Sequence, residues 1–248
     1  MRKIILSLIF TLALSGCSKP NVNWNWAKGN EMLADKSLTD QQINSKIENN
    51  KTSINEVNAL FGDNKQNTRS VVKKTFPNGT YSISSYKGHL NDWAGTYAHR
   101  VLFVAYDKNG MIINHDIATN NFREKNKFEK RPEELRLTAF NELNKNDSKS
   151  KALGLLGEPR TISFSDAGNI LLVYSNTEIT RDATSFIPIF NMIKGTESGG
   201  AERVYVELKD NKIENIYLVS VKITQGLGLA NSSDYKEDVI SIKKKYDF

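Results

Sequence analysis

From residue 39 onward the chain passes twice from stretches with helical period to runs with strand period. Thr39 with Gln42, and Ser53 with Glu56, each fit a capping box, in which an N-cap hydroxyl and a side chain three residues on satisfy each other's backbone donors. Ile43 and Ile47 share one helical face. Ile54, Val57, Leu60 and Phe61 form the next, and Gly62 stands where a left-handed residue would end that helix. Strand-like runs follow at Ser70 to Phe76, Thr80 to Tyr86, Ala98 to Tyr106 and Met111 to Ala118. Asp107-Lys108-Asn109-Gly110, between the last two, carries the Asn-Gly signal of a tight hairpin.

The order then recurs. Pro132 suits a helix start, Leu135, Ala139, Phe140 and Leu143 give a stripe, and Asp147 can cap a second helix ending at Leu155-Leu156-Gly157. Strand runs follow at Arg160 to Phe164, Asn169 to Asn176, Arg203 to Lys209 and Lys212 to Thr224, the last two joined at Asp210-Asn211. Gly62 to Gly157 is 157 − 62 = 95 residues and Asp107 to Asp210 is 210 − 107 = 103, so the second copy carries an insert of 103 − 95 = 8 residues. This predicts a tandem duplication of class α+β: two repeats, each a helical pair packed on a small antiparallel sheet. Val101, Phe103 and Ala105 alternate with Leu102, Val104 and Tyr106, so this strand expects cover on both faces and the copies expect to pack together.

The run Thr52 to Asp63, followed by Val101 to Ile117, resembles the SmpA/OmlA (BamE-like) family of outer-membrane lipoproteins, and Ser148 to Pro159 with Val204 to Val219 resembles it a second time. The tandem arrangement is similar to the β-lactamase inhibitor protein fold. The resemblance implies a non-catalytic accessory at the outer membrane that binds proteins, with barrel-assembly machinery as a partner. The inhibitor-like architecture implies an alternative, capture of a secreted or incoming protein.

The N-terminus bears on location. Arg2 and Lys3 precede an apolar stretch from Ile4 to Leu14, too short to span a bilayer, and Leu14-Ser15-Gly16-Cys17 resembles a lipobox. The expectation is a signal peptide at 1–16, acylated Cys17 with a polar tether over 17–36, a first unit at 37–120, a linker at 121–131, a second unit at 132–225 and a tail at 226–248. Ser18 after the cysteine suits outer-membrane sorting, with the protein facing the periplasm. Cys17 is the one cysteine, so no intrachain disulfide can form. Without Arg2 and Lys3 the 34 basic residues become 32 against 28 acidic ones, a net charge near +4 without a concentrated basic face. Nucleic-acid binding is therefore not predicted.

Candidate chemistry is sparse. His89, His99 and His115 lack metal-ligand spacing, no Gly-x-Ser-x-Gly elbow occurs, and acylation removes the thiol. No catalytic residue, metal, cofactor or small-molecule substrate is predicted. Thr196 to Gly200 has the composition of a flexible loop. Insertions on a repeated scaffold favour contacts, so Phe186, Ile187, Ile189, Phe190 and Met192 in the second copy are candidate partner-binding residues, or else the seam between copies. Trp93 is similarly placed in the first copy.

Overall fold

The computed structural model describes residues 29–62, 81–90, 98–121, 124–181, 196–226 and 235–246. Among the described residues three short helices come first: α1 (Glu31–Ala34), α2 (Asp40–Asn44) and α3 (Ile54–Phe61). Both expected capping boxes form, Thr39 with Gln42 and Ser53 with Glu56. The three helices lie on one face of an antiparallel sheet of β1 (Ser82–His89), β2 (Ala98–Tyr106) and β3 (Ile112–Asn121), in that order. Leu33, Ile43, Val57, Leu102 and Ile112 are fully buried in this layer, each contributing on the order of 1.5–3 kcal/mol.

Then come α4 (Lys127–Lys130), α5 (Pro132–Glu142) and α6 (Lys149–Leu156), followed by a five-stranded antiparallel sheet. Its strands, in spatial order, are β4 (Thr161–Phe164), β5 (Ile170–Arg181), β6 (Thr196–Lys209), β7 (Lys212–Gly226) and β8 (Tyr235–Lys244).

This corrects the expected class of two tandem repeats, each a helical pair on a small antiparallel sheet. The sheets have three and five strands, and strand holds about 48% of the structure against about 25% helix. Nor are the halves self-contained. Tyr81, Ile83, Ala105 and Ala118 of the first half share one buried cluster with Phe128, Leu135, Leu156, Phe164, Tyr174 and Val206 of the second. The physical reason is the doubly apolar β2 and its neighbours: one face receives helices α1–α3, and the other packs into the second half's core.

What recurs is a local joint. Ser53 bridges Met111 and Ser148 bridges Lys212, each N-cap docking beside a hairpin turn. In the first joint Ile54 N–H donates to Gly110 O at 2.7 Å and Asn50 N–H to Ile112 O at 2.7 Å. In the second, Lys149 N–H donates to Asn211 O at 3.0 Å and Asn146 N–H to Ile213 O at 2.8 Å. Asn50 and Asn146 both take positive φ, 60° and 71°.

Smaller expectations also shift. Ser148, not Asp147, caps α6; Asp147 instead accepts from Asn144 N–H and pairs with Lys151. Gly62 is extended at φ −94°, while Gly157 is left-handed at φ 82°. The β2–β3 turn closes through Asp107 to Gly110, with Gly110 alone at positive φ, and the β6–β7 turn has both Asp210 and Asn211 there, as a two-residue type I′ turn requires. Thr196 to Gly200 is backbone of β6, with Glu197 to Gly200 paired to Arg181 to Glu178 of β5. The run Ser70 to Phe76 lies outside the described residues.

Candidate functional site

The sheets meet along a polar cleft of about 680 Å³. One wall is α2 and β3 of the first half, with Asp40, Asn44, His115 and Asp116. The other is the start of α6, Glu158 and the β6–β7 turn, with Lys149, Asp210 and Asn211. Because β3 is an edge strand, its consecutive residues His115 and Asp116, which leave opposite faces, both reach the cleft.

Asp116, only 4% exposed, pairs with Lys149 across the cleft at 2.5 Å and also accepts from Asn44 Nδ2 at 3.3 Å. A buried carboxylate needs such partners, since desolvation would otherwise outweigh what it gains. His115 Nε2 lies 3.1 Å from Asn44 O and Nδ1 lies 2.8 Å from Asn49 Oδ1. A carbonyl only accepts, so Nε2 carries a proton. Burial holds His115 below its ordinary pKa; the Asn44 carbonyl and Asp116 oppose the shift and Lys149 reinforces it. Burial raises the Glu158 carboxyl, and Asp40 and Asp116 push the same way against Lys149.

Asp40 is held from below by Arg100, a buried guanidinium on β2. Its Nε lies 2.7 Å from Asp40 Oδ1, and its terminal nitrogens donate to Asp35 O at 3.0 Å and Leu38 O at 2.9 Å. Neutral bonds lock the rest of the seam: Asn114 Nδ2 donates to Gly168 O, Asn120 Nδ2 to Pro159 O and Arg160 O, and Tyr81 hydroxyl to Ser165 O. The cleft therefore serves as an internally paired joint with an acid-rich wall. Among the described residues, no group of three His, Cys, Asp or Glu side chains is disposed to hold a metal ion.

The residues singled out from sequence, Cys17, Trp93, Phe186, Ile187, Ile189, Phe190 and Met192, all lie outside the described residues. His99 is buried at 8% exposure against the ring of His89, centroids 4.3 Å apart. No helix among the described residues is long and apolar enough to cross a membrane.

Besides helices α1 and α4, which lie in stretches read as tether and linker, sequence reasoning missed two features. The cleft cluster sets Asp116 beside Lys149 and Glu158, 33 and 42 positions further along the chain, and no local motif announces it. The other is β8, in the stretch read as a tail. It is the edge of the larger sheet, and Val239, Ile240 and Ile242 are 59%, 68% and 63% exposed. The β-branched residues of Val239-Ile240-Ser241-Ile242 were its available signal.

The described residues thus form two antiparallel sheets joined along a polar cleft, with β8 at one edge. Comparison of the chain with protein-family models, with curated proteins and with solved structures finds no match.

Proposed function

We propose that this chain is a lipid-anchored, non-catalytic binding scaffold of the bacterial envelope, tethered through acylated Cys17 at the outer membrane and similar in role to the SmpA/OmlA (BamE-like) lipoproteins. The observation that carries the binding role is strand β8, a ten-residue sheet edge that presents three large aliphatic side chains to solvent. An edge strand offers a row of backbone donors and acceptors, and strand addition uses that row for affinity and side chains for specificity. The cleft supports a role without chemistry. Its Asp116, Asp40 and His115 are each committed to partners within the fold, so they position the sheets and do not stand as a free base beside a nucleophile.

Photo-crosslinking in cells tests this, with a photoreactive residue at Ile240 and adducts identified by mass spectrometry from the membrane fraction. The expected result is a discrete protein adduct, lost from that fraction when Cys17 is replaced by Ala. Absence of any protein adduct through β8 would remove the binding role.

A further inference from the structure

We propose that the partner of β8 is a second copy of this chain, paired antiparallel across a two-fold axis to give a continuous sheet of ten strands. This rests on the reading of β8 as an interaction edge and adds the identity of the occupant and the register.

The bulge restricts the register to one parity. Residues directly opposite in antiparallel strands share a face. Val239 pairs with Val221, Ser241 with Ser220 and Ile242 with Val219, so Ile240 is the extra residue. Glu237, Val239, Ile242 and Lys244, paired with Ile223, Val221, Val219 and Tyr217, therefore share one face. Asp238, Ser241 and Lys243, paired with Lys222, Ser220 and Leu218, share the other. Without the bulge, Val239 and Ile242 would point oppositely.

A two-fold axis perpendicular to the sheet keeps each face on its own side. It thus permits a residue to stand opposite another only when both leave the same face. With the bulge in place, one register sets Val239 opposite Ile242, Asp238 opposite Lys243 and Glu237 opposite Lys244, each twice by symmetry. Every one of these pairs is face-matched. In the neighbouring register Asp238 would meet Ile242 and Val239 would meet Ser241, and both pairs leave opposite faces.

Charge complementarity selects the same occupant. After Tyr235 and Lys236, which pairs with Asp238, the strand runs through acidic Glu237 and Asp238 and an aliphatic centre to Lys243 and Lys244. Edge lysines ordinarily repel a passing strand. Here two of them meet acids when the passing strand is an antiparallel copy. Asp238 is 53% exposed beside Lys236 and remains accessible to such a partner. Glu237 also accepts from Arg203, which orders the acidic half of the edge before any copy docks.

Sedimentation of the detergent-solubilised full chain tests this through charge exchange. The unaltered chain is expected to dimerise. Asp238→Lys and Lys243→Asp, each placing like charges opposite one another twice, should each weaken association by about tenfold or more. Mixing the two variants in equal amounts, or combining both substitutions in one chain, restores the opposite-charge pairs and should restore the dimer. Circular dichroism of each variant checks that the fold is intact. A chain that stays monomeric, or a dimer indifferent to the single exchanges, overturns self-pairing. If the chain is monomeric while Ile240 still crosslinks to another envelope protein, self-pairing falls and the scaffold role stands. If neither dimer nor adduct forms, both fall.

Discussion

His99 sits in β2 opposite His89, and burial together with Lys87 and His89 pushes its pKa down to about 4. His89 and His115 are lowered too, burial being the first cause in each. A histidine whose folded pKa lies below its unfolded value binds its proton more readily when unfolded. Stability is therefore present above about pH 6.5 and lost as pH falls toward the folded pKa. Glu158, raised by burial, acts in the opposite sense in the carboxylate range. Urea unfolding at pH 7.5 and 5.5 should show a loss of about 1 kcal/mol from His99 alone, which His99→Gln removes. A profile that stays flat between these values would contradict the buried neutral ring. Nothing adjacent to His99 in the chain announces this state, because its causes are burial in the fold and, after it, Lys87 and His89 on the strand opposite.

At the scale of elements, α1 illustrates how close packing depends on a missing side chain. Gly29 bridges Gly88, and a Cβ on Gly88 would lie 2.3 Å from the Leu33 carbonyl carbon. Gly88→Ala should therefore push α1 off β1 and destabilise the protein by about 2 kcal/mol, seen as a lower melting temperature and faster proteolysis near Lys36. A melting temperature unchanged from that of the parent would place α1 elsewhere. Capping boxes, by contrast, were legible as written, because their partners stand three residues apart and the chemistry is closed within one turn. The type I′ turn at Asp210-Asn211 was legible as a hairpin for the same reason. Strand β8 was not. Its residues are polar at both ends, and it becomes a strand because β7 supplies a ladder, an event that backbone groups permit in almost any sequence.

At the scale of the molecule, the shared cluster from Tyr81 and Ala118 to Phe164 and Val206 makes the two sheets one folding unit. Calorimetry should give a single transition whose calorimetric and van't Hoff enthalpies agree. Phe164→Ala, which empties the shared core, should lower that one transition by the equivalent of about 3–5 kcal/mol. Two resolved transitions, with only one moved, would mean that the halves fold separately. The Asp116–Lys149 pair and the Asn120 bonds to Pro159 and Arg160 brace the same seam on its polar side.

By itself the sequence determined what neighbouring residues settle among themselves: the helix caps at Thr39 and Ser53, the turns before Met111 and Lys212, and the apolar faces of β2. Tertiary structure decided the number of strands per sheet, the single core, the cleft that gathers Asp116, Lys149 and Glu158, and the edge at β8. The division has a physical cause. Caps and turns close over a few residues and carry side-chain signatures, whereas strand pairing and cleft formation join groups tens of residues apart through backbone bonds that every residue but proline can make.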